Sequence, residues 1–155
     1  MNALLTAIVL WLSANFDLPA TYEHPKVEFV PAVEIAFLHY GAFTTEKRRE
    51  VLAQYRSNIS LDKRREVVAV YIDVMETIFL PEGWTGNTPA ELSVLVHEMV
   101  HHLQNLARQR FECPQAREAL AYAAQERWLG LFGRNLLEDF EIDRTTLLIS
   151  TRCSF

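Results

Sequence analysis

The chain contains His97-Glu98-Met99-Val100-His101, two histidines four residues apart with a glutamate directly after the first. On a helix, positions i and i+4 share one face about one turn apart. Both imidazoles can then reach a single Zn²⁺ at about 2.0–2.1 Å. The glutamate between them is placed to take a proton from water held at such an ion. The pattern predicts a metallohydrolase with His97 and His101 as metal ligands and Glu98 as the general base. His102 falls well round a helix from the pair, which suits a surface or hydrogen-bonding role rather than ligation.

Two histidines leave zinc short of ligands, because catalytic sites usually have three protein ligands and an open position. The stretch from Gln115 to Leu129 reads as a second helix, with an apolar stripe of Leu120, Ala124, Trp128 and Leu131. Glu118, Tyr122 and Gln125 line up on another face, with Glu126 between. A short link around Phe111 to Pro114 would fold this helix back on the first, within reach of the metal. Glu118 is the preferred third ligand because it shares its face with two other polar groups; Glu126 is the alternative. A peptide hydrolase also needs a donor for the developing oxyanion. Tyr122, His39, Tyr71 and Arg127 are available, each with an ordinary packing or solvent role in competition.

The elements that must position these residues are legible in outline. Thr88-Pro89-Ala90-Glu91 is a helix start, with Thr88 as N-cap, Pro89 at the first helical position and Glu91 closing a capping box. The motif helix is expected to run to Arg108. Leu92, Leu95, Val96, Met99, Val100, Leu103 and Leu106 form its apolar stripe, and Ser93, His97, His101, Gln104 and Arg108 fall opposite. Before it, residues 67–72 and 77–80 are β-branched and aromatic runs that read as a hairpin, and 26–30 reads as a third strand. The link through Trp84 and Gly86 shapes either a rim of the cleft or a structural turn. Helices are expected at 3–15, 31–40, 44–57, 89–108, 115–132 and 134–142. The predicted class is α+β: a small sheet packed on the motif helix.

The runs from Ser93 to Gln104 and from Glu118 to Leu129 resemble a small bacterial zincin-like family of unknown function. H-E-x-x-H followed by a helix-borne glutamate is similar to the gluzincin branch of the zincin metallopeptidases. The resemblance extends over most of the chain, and its first motif is the highly specific one. It implies a compact zincin-like fold, a zinc-dependent peptidase activity and a peptide or protein substrate. It also implies His97, His101 and Glu118 as zinc ligands and Glu98 as base. In that branch an aspartate often lies four residues after the third ligand and supports a zinc histidine. This chain has Tyr122 there, so either Tyr122 makes another supporting contact or the third ligand lies elsewhere. In such folds an edge strand can bind extended peptide by strand addition.

Composition narrows the alternatives. With 155 residues a single domain over 1–155 is expected. Two basic clusters, Lys47-Arg48-Arg49 and Lys63-Arg64-Arg65, are flanked by acids. The net charge is −5 and no aromatic–basic platform accompanies them, which excludes nucleic-acid binding. Residues 1–12 are apolar enough for a signal-peptide core, with Ser13 and Ala14 near a cleavage point. No lysine or arginine precedes Lys26, however, and the run is shorter than the about 20 apolar residues that span a bilayer. An amphipathic first helix with Leu4, Ile8, Trp11 and Leu12 on the core is therefore expected. Cys113 and Cys153 can pair after export or remain reduced in the cytoplasm, and neither has zinc-ligand spacing. The balance leans to the cytoplasm. A catalytically silent zincin-like metal-binding or regulatory module is the alternative function. A carboxylate-bridged di-iron protein, suggested by Glu98 and His101 as E-x-x-H, would need a second such motif on a partner helix. None occurs in the chain.

Overall fold

The strand expected at 77–80 forms as β3 (Thr77–Pro81) and organises the sheet in this computed structural model, which describes residues 1–40 and 69–153. The expected helix at 44–57, the first residues of the strand at 67–72 and both basic clusters lie outside the described residues. β1 (Lys26–Val30) pairs parallel to β3, with Lys26 opposite Thr77 and Val30 opposite Pro81. β2 (Val70–Ile72) pairs antiparallel on the other side, Tyr71 opposite Ile78. The hairpin joining β2 to β3 is a 3-10 turn over Asp73–Met75, closed by Glu76 in a left-handed conformation at φ 47°. β3 is paired on both edges and buried on both faces, and the covered faces explain a continuous apolar run in place of alternation.

Strand alternation sends Tyr71, Ile78 and Leu80 to one face, where the main core lies. Val70 and Phe79 point to the other and pack on Ile35 of α2 (Ala32–Tyr40). The main core brings in α1 (Asn2–Phe16), whose Leu5, Ile8, Val9 and Leu12 are buried. Leu4 and Trp11, expected on this face, flank it and are only partly buried. The apolar run at 1–12 is thus part of a core helix. Among the described residues no helix is long and apolar enough to cross a membrane.

The motif helix is α3 (Pro89–Leu106), and the predicted capping box forms: Glu91 N–H donates to Thr88 Oγ1 at 3.1 Å, and Thr88 N–H to the Glu91 carboxylate at 3.2 Å. It ends two residues early because Arg108 turns to φ 50°. Leu95, Val96, Met99, Val100 and Leu103 pack under the sheet as expected. The opposite side is not solvated. α4 (Pro114–Gly130) lies against it, so α3 is buried all round from Ser93 to Gln104. Buried polar side chains there require partners, and that requirement builds the site.

Past α4 the expected helix at 134–142 shrinks to one turn, α5 (Leu136–Asp139). A further helix, α6 (Arg144–Thr151), was not anticipated; Asp143 caps it by accepting from the N–H groups of Thr145 and Thr146. Leu131 is 60 % exposed beyond the end of α4, and Leu129 takes its predicted place in the core. Cys153, after α6, forms a disulfide with Cys113, the N-cap of α4, at a Cα separation of 5.8 Å. The architecture among the described residues is α+β: six helices around a three-stranded mixed sheet.

Candidate metal centre

α3 presents His97 and His101 one turn apart toward α4, which presents Glu118. The three donor atoms converge. His97 Nε2 lies 3.1 Å from Glu118 Oε2, His101 Nε2 lies 3.2 Å from the same oxygen, and the two Nε2 atoms are 3.2 Å apart. Three ligands at about 2.1 Å from one ion and at tetrahedral angles sit about 3.4 Å from one another. The triangle therefore has the size and shape of one face of a tetrahedron, and the donor set fits a metal ion. Both histidines are buried, whereas the Glu118 side chain is 33 % exposed and forms the solvent side.

Arg117, one residue before Glu118, docks this end of α4. Its guanidinium pairs with both Asp73 oxygens, at 2.6 and 2.5 Å, and also donates to the His101 carbonyl at 3.4 Å. Burial alone would raise the pKa of Glu118. When the rings carry a proton on Nε2, hydrogen bonds from His101 and His97 outweigh that and hold its carboxyl well below the usual carboxylate range.

Glu98 points a quarter-turn away, toward β2. Its Oε2 accepts from the Tyr71 backbone N–H at 2.7 Å, and the side chain is buried. Burial, reinforced by the Glu118 charge, raises its pKa above the ordinary value despite opposing contributions from His97, the Tyr71 N–H and Arg117. A raised pKa at a buried carboxylate beside a donor triangle suits a general base.

Two residues given no role from sequence complete the site. Gln125 Oε1 lies 3.1 Å from His97 Nδ1, and Gln104 Oε1 lies 3.0 Å from His101 Nδ1. Spacing held a signal: Gln104 is i+3 from His101, and Gln125 is two helical turns from Glu118 on its face. The side-chain contact behind His97 thus comes from Gln125 and not from position 122. Tyr122 instead sets its ring edge-on to His97, with centroids 4.7 Å apart.

The remaining candidates have other duties. Glu126 accepts from the Leu136 N–H at 2.6 Å and caps α5, so it does not compete as third ligand. His102 is buried rather than on the surface, as its hydrogen-bonding alternative requires: Nδ1 lies 3.1 Å from the Tyr71 hydroxyl and Nε2 2.9 Å from the Glu23 carbonyl. That bond and one from Asn105 commit the Tyr71 hydroxyl. Arg127 stacks over the Phe16 ring. His39 lies on α2, beyond the sheet face that α3 packs on. Trp84 and Gly86 form a structural turn: Gly86 has φ 68°, and a Cβ there would meet the Trp84 ring at 2.5 Å.

The family model described as Domain of unknown function (DUF6647) matches residues 1–155, and the chain belongs to that family. Neither a curated protein nor a solved structure matches it.

Proposed function

We propose that this DUF6647 protein is a zinc-dependent metallohydrolase, specifically a peptidase, built on a zincin-like fold. The observation that carries the reading is the near-equilateral triangle of His97 Nε2, His101 Nε2 and Glu118 Oε2, with edges of 3.1, 3.2 and 3.2 Å. Two imidazoles and a carboxylate suit zinc among the divalent ions. A bound Zn²⁺ would supply a Lewis acid that polarises a carbonyl and acidifies water. The chain supplies the proton transfers. Glu98 takes the proton of the attacking water on Oε1, the oxygen not held by Tyr71, and returns it to the leaving amine. Its burial makes it a better base than an exposed glutamate. Among the described residues β2 is an edge strand, and it packs against α3, which supports an extended peptide as the substrate.

One observation favours the second reading, a metal-binding module without catalysis. Glu98 is only 7 % exposed and one of its oxygens is committed to β2, as a purely structural glutamate would be. On location, the Cys113–Cys153 disulfide supports an oxidising compartment over the cytoplasm.

Metal content per chain, measured by native mass spectrometry, tests the site. One zinc per chain is expected in the native protein and in Glu126→Ala, and none in His101→Ala or Glu118→Ala. A native protein that takes up no zinc from excess Zn²⁺ would sink the metallohydrolase reading.

A further inference from the structure

The hydrogen bonds behind the two histidines favour one direction each. The Gln104 amide group donates through Nε2 to the Arg117 carbonyl at 3.1 Å, and a carbonyl can only accept. Gln104 Oε1 must then be the atom facing His101, so His101 Nδ1 carries the hydrogen. The second chain has one more link. The Ser93 hydroxyl donates to the Ala90 carbonyl at 2.7 Å, so Ser93 Oγ accepts from Gln125 Nε2 at 3.3 Å. Gln125 Oε1 therefore accepts from His97 Nδ1–H. Each chain ends on a backbone carbonyl of a helix: the Gln104 end cannot be reversed, and reversing the other would cost Ser93 its hydrogen bond to the Ala90 carbonyl.

The consequence lies on the other side of both rings. With hydrogen on Nδ1, each neutral imidazole turns a lone pair out through Nε2. Both lone pairs face each other at 3.2 Å and both face Glu118 Oε2. Three acceptors with no donor among them repel unless positive charge lies between them.

We propose that Gln104 and Gln125 are positioning residues, uncharged relays that lock His101 and His97 as Nε2 lone-pair donors and so set the affinity of the site for a divalent metal. The proposal rests on the metal-centre reading. The relays also cross-link the two ligand-bearing helices: Gln125 reaches from α4 to a histidine of α3, and Gln104 from α3 to the backbone beside Glu118.

The test is Zn²⁺ affinity, by competition with a chromophoric chelator, for the wild type and for Gln125→Ala, Gln125→Glu, Gln104→Ala and Gln104→Glu. Both alanine variants should bind about 10–100-fold more weakly. Gln125→Glu should match or exceed the wild type, because a carboxylate still accepts from His97 Nδ1–H and the Ser93 hydroxyl can turn to donate to it. Gln104→Glu should fall short of the wild type, because its second oxygen would oppose the Arg117 carbonyl. A side chain that merely fills space predicts no such asymmetry. Wild-type affinity in both alanine variants, or equal loss in Gln125→Ala and Gln125→Glu, overturns the relay while leaving the metal site standing. A wild type that binds no Zn²⁺ overturns both. Should a variant not fold, ¹⁵N chemical shifts of the histidines in zinc-free wild type, at a pH where both rings are neutral, decide directly: Nδ1–H on both rings is expected, and Nε2–H on either overturns the relay.

Discussion

Glu98 and His102 stand four residues apart on α3, and both reach β2 through Tyr71, one by its backbone and one by its hydroxyl. They lend themselves to different tests. Glutamine at position 98 keeps an oxygen that can accept from the Tyr71 N–H and loses only the ability to take a proton. We expect Glu98→Gln to retain stoichiometric zinc while peptide hydrolysis, read on a mixed peptide library, falls by about 10²–10⁴-fold. Loss of zinc together with activity would make Glu98 a structural residue. Burial, the largest influence on His102, lowers its pKa. The unfolded chain takes up that proton as pH falls below about 6.5, whereas the folded chain holds the ring neutral. His102 therefore favours folding above that pH, and the contribution is lost on acidification. In zinc-free protein, urea unfolding should show stability declining below about pH 6.5. His102→Gln should decline less steeply, and parallel pH profiles would contradict this account.

At the scale of elements, α4 decides where the site is. Its small Ala121 and Ala124 are fully buried, and Arg117 ties its first turns to Asp73 in the β2–β3 turn. This puts Glu118 over the histidines and leaves Glu126, two turns further on, to cap α5. Glu126→Ala should lower unfolding free energy by about 1 kcal/mol, as lost caps generally do, and leave zinc stoichiometry unchanged; denaturant titration and metal analysis on the same variant check both. The helical period had placed Glu118 and Gln125 on one face correctly. It favoured Glu118 and left Glu126 as the alternative, because periodicity describes one helix, and the distinction depends on what packs against it. Likewise α6 escaped notice: its cap, Asp143, is a short-range signal without a strong apolar stripe behind it, and none of its residues is fully buried.

For the whole molecule, the disulfide ties the chain after α6 back to the start of α4 across 40 residues. Closing a loop of that length stabilises a fold by about 2–4 kcal/mol, chiefly through the unfolded chain. Reduction, or Cys113→Ser, should lower stability by that amount in denaturant unfolding; an unchanged midpoint would show the link to be incidental. Cysteine count alone left this pairing open, since 113 and 153 are distant in sequence and meet only because α4 and α6 pack together. The sequence by itself determined the elements governed by short-range rules: the capped motif helix, the β2–β3 hairpin, the apolar first helix, and His97, His101 and Glu98 at helical spacing. Those rules act over a few residues through backbone geometry and local hydrogen bonds. Tertiary structure alone decided that the polar face of α3 is buried, that Glu118 closes the triangle, and that Gln104 and Gln125 stand behind it. Each of these is a pairing across the α3–α4 interface, where the cost of burying unpartnered polar groups selects one arrangement that no single segment encodes.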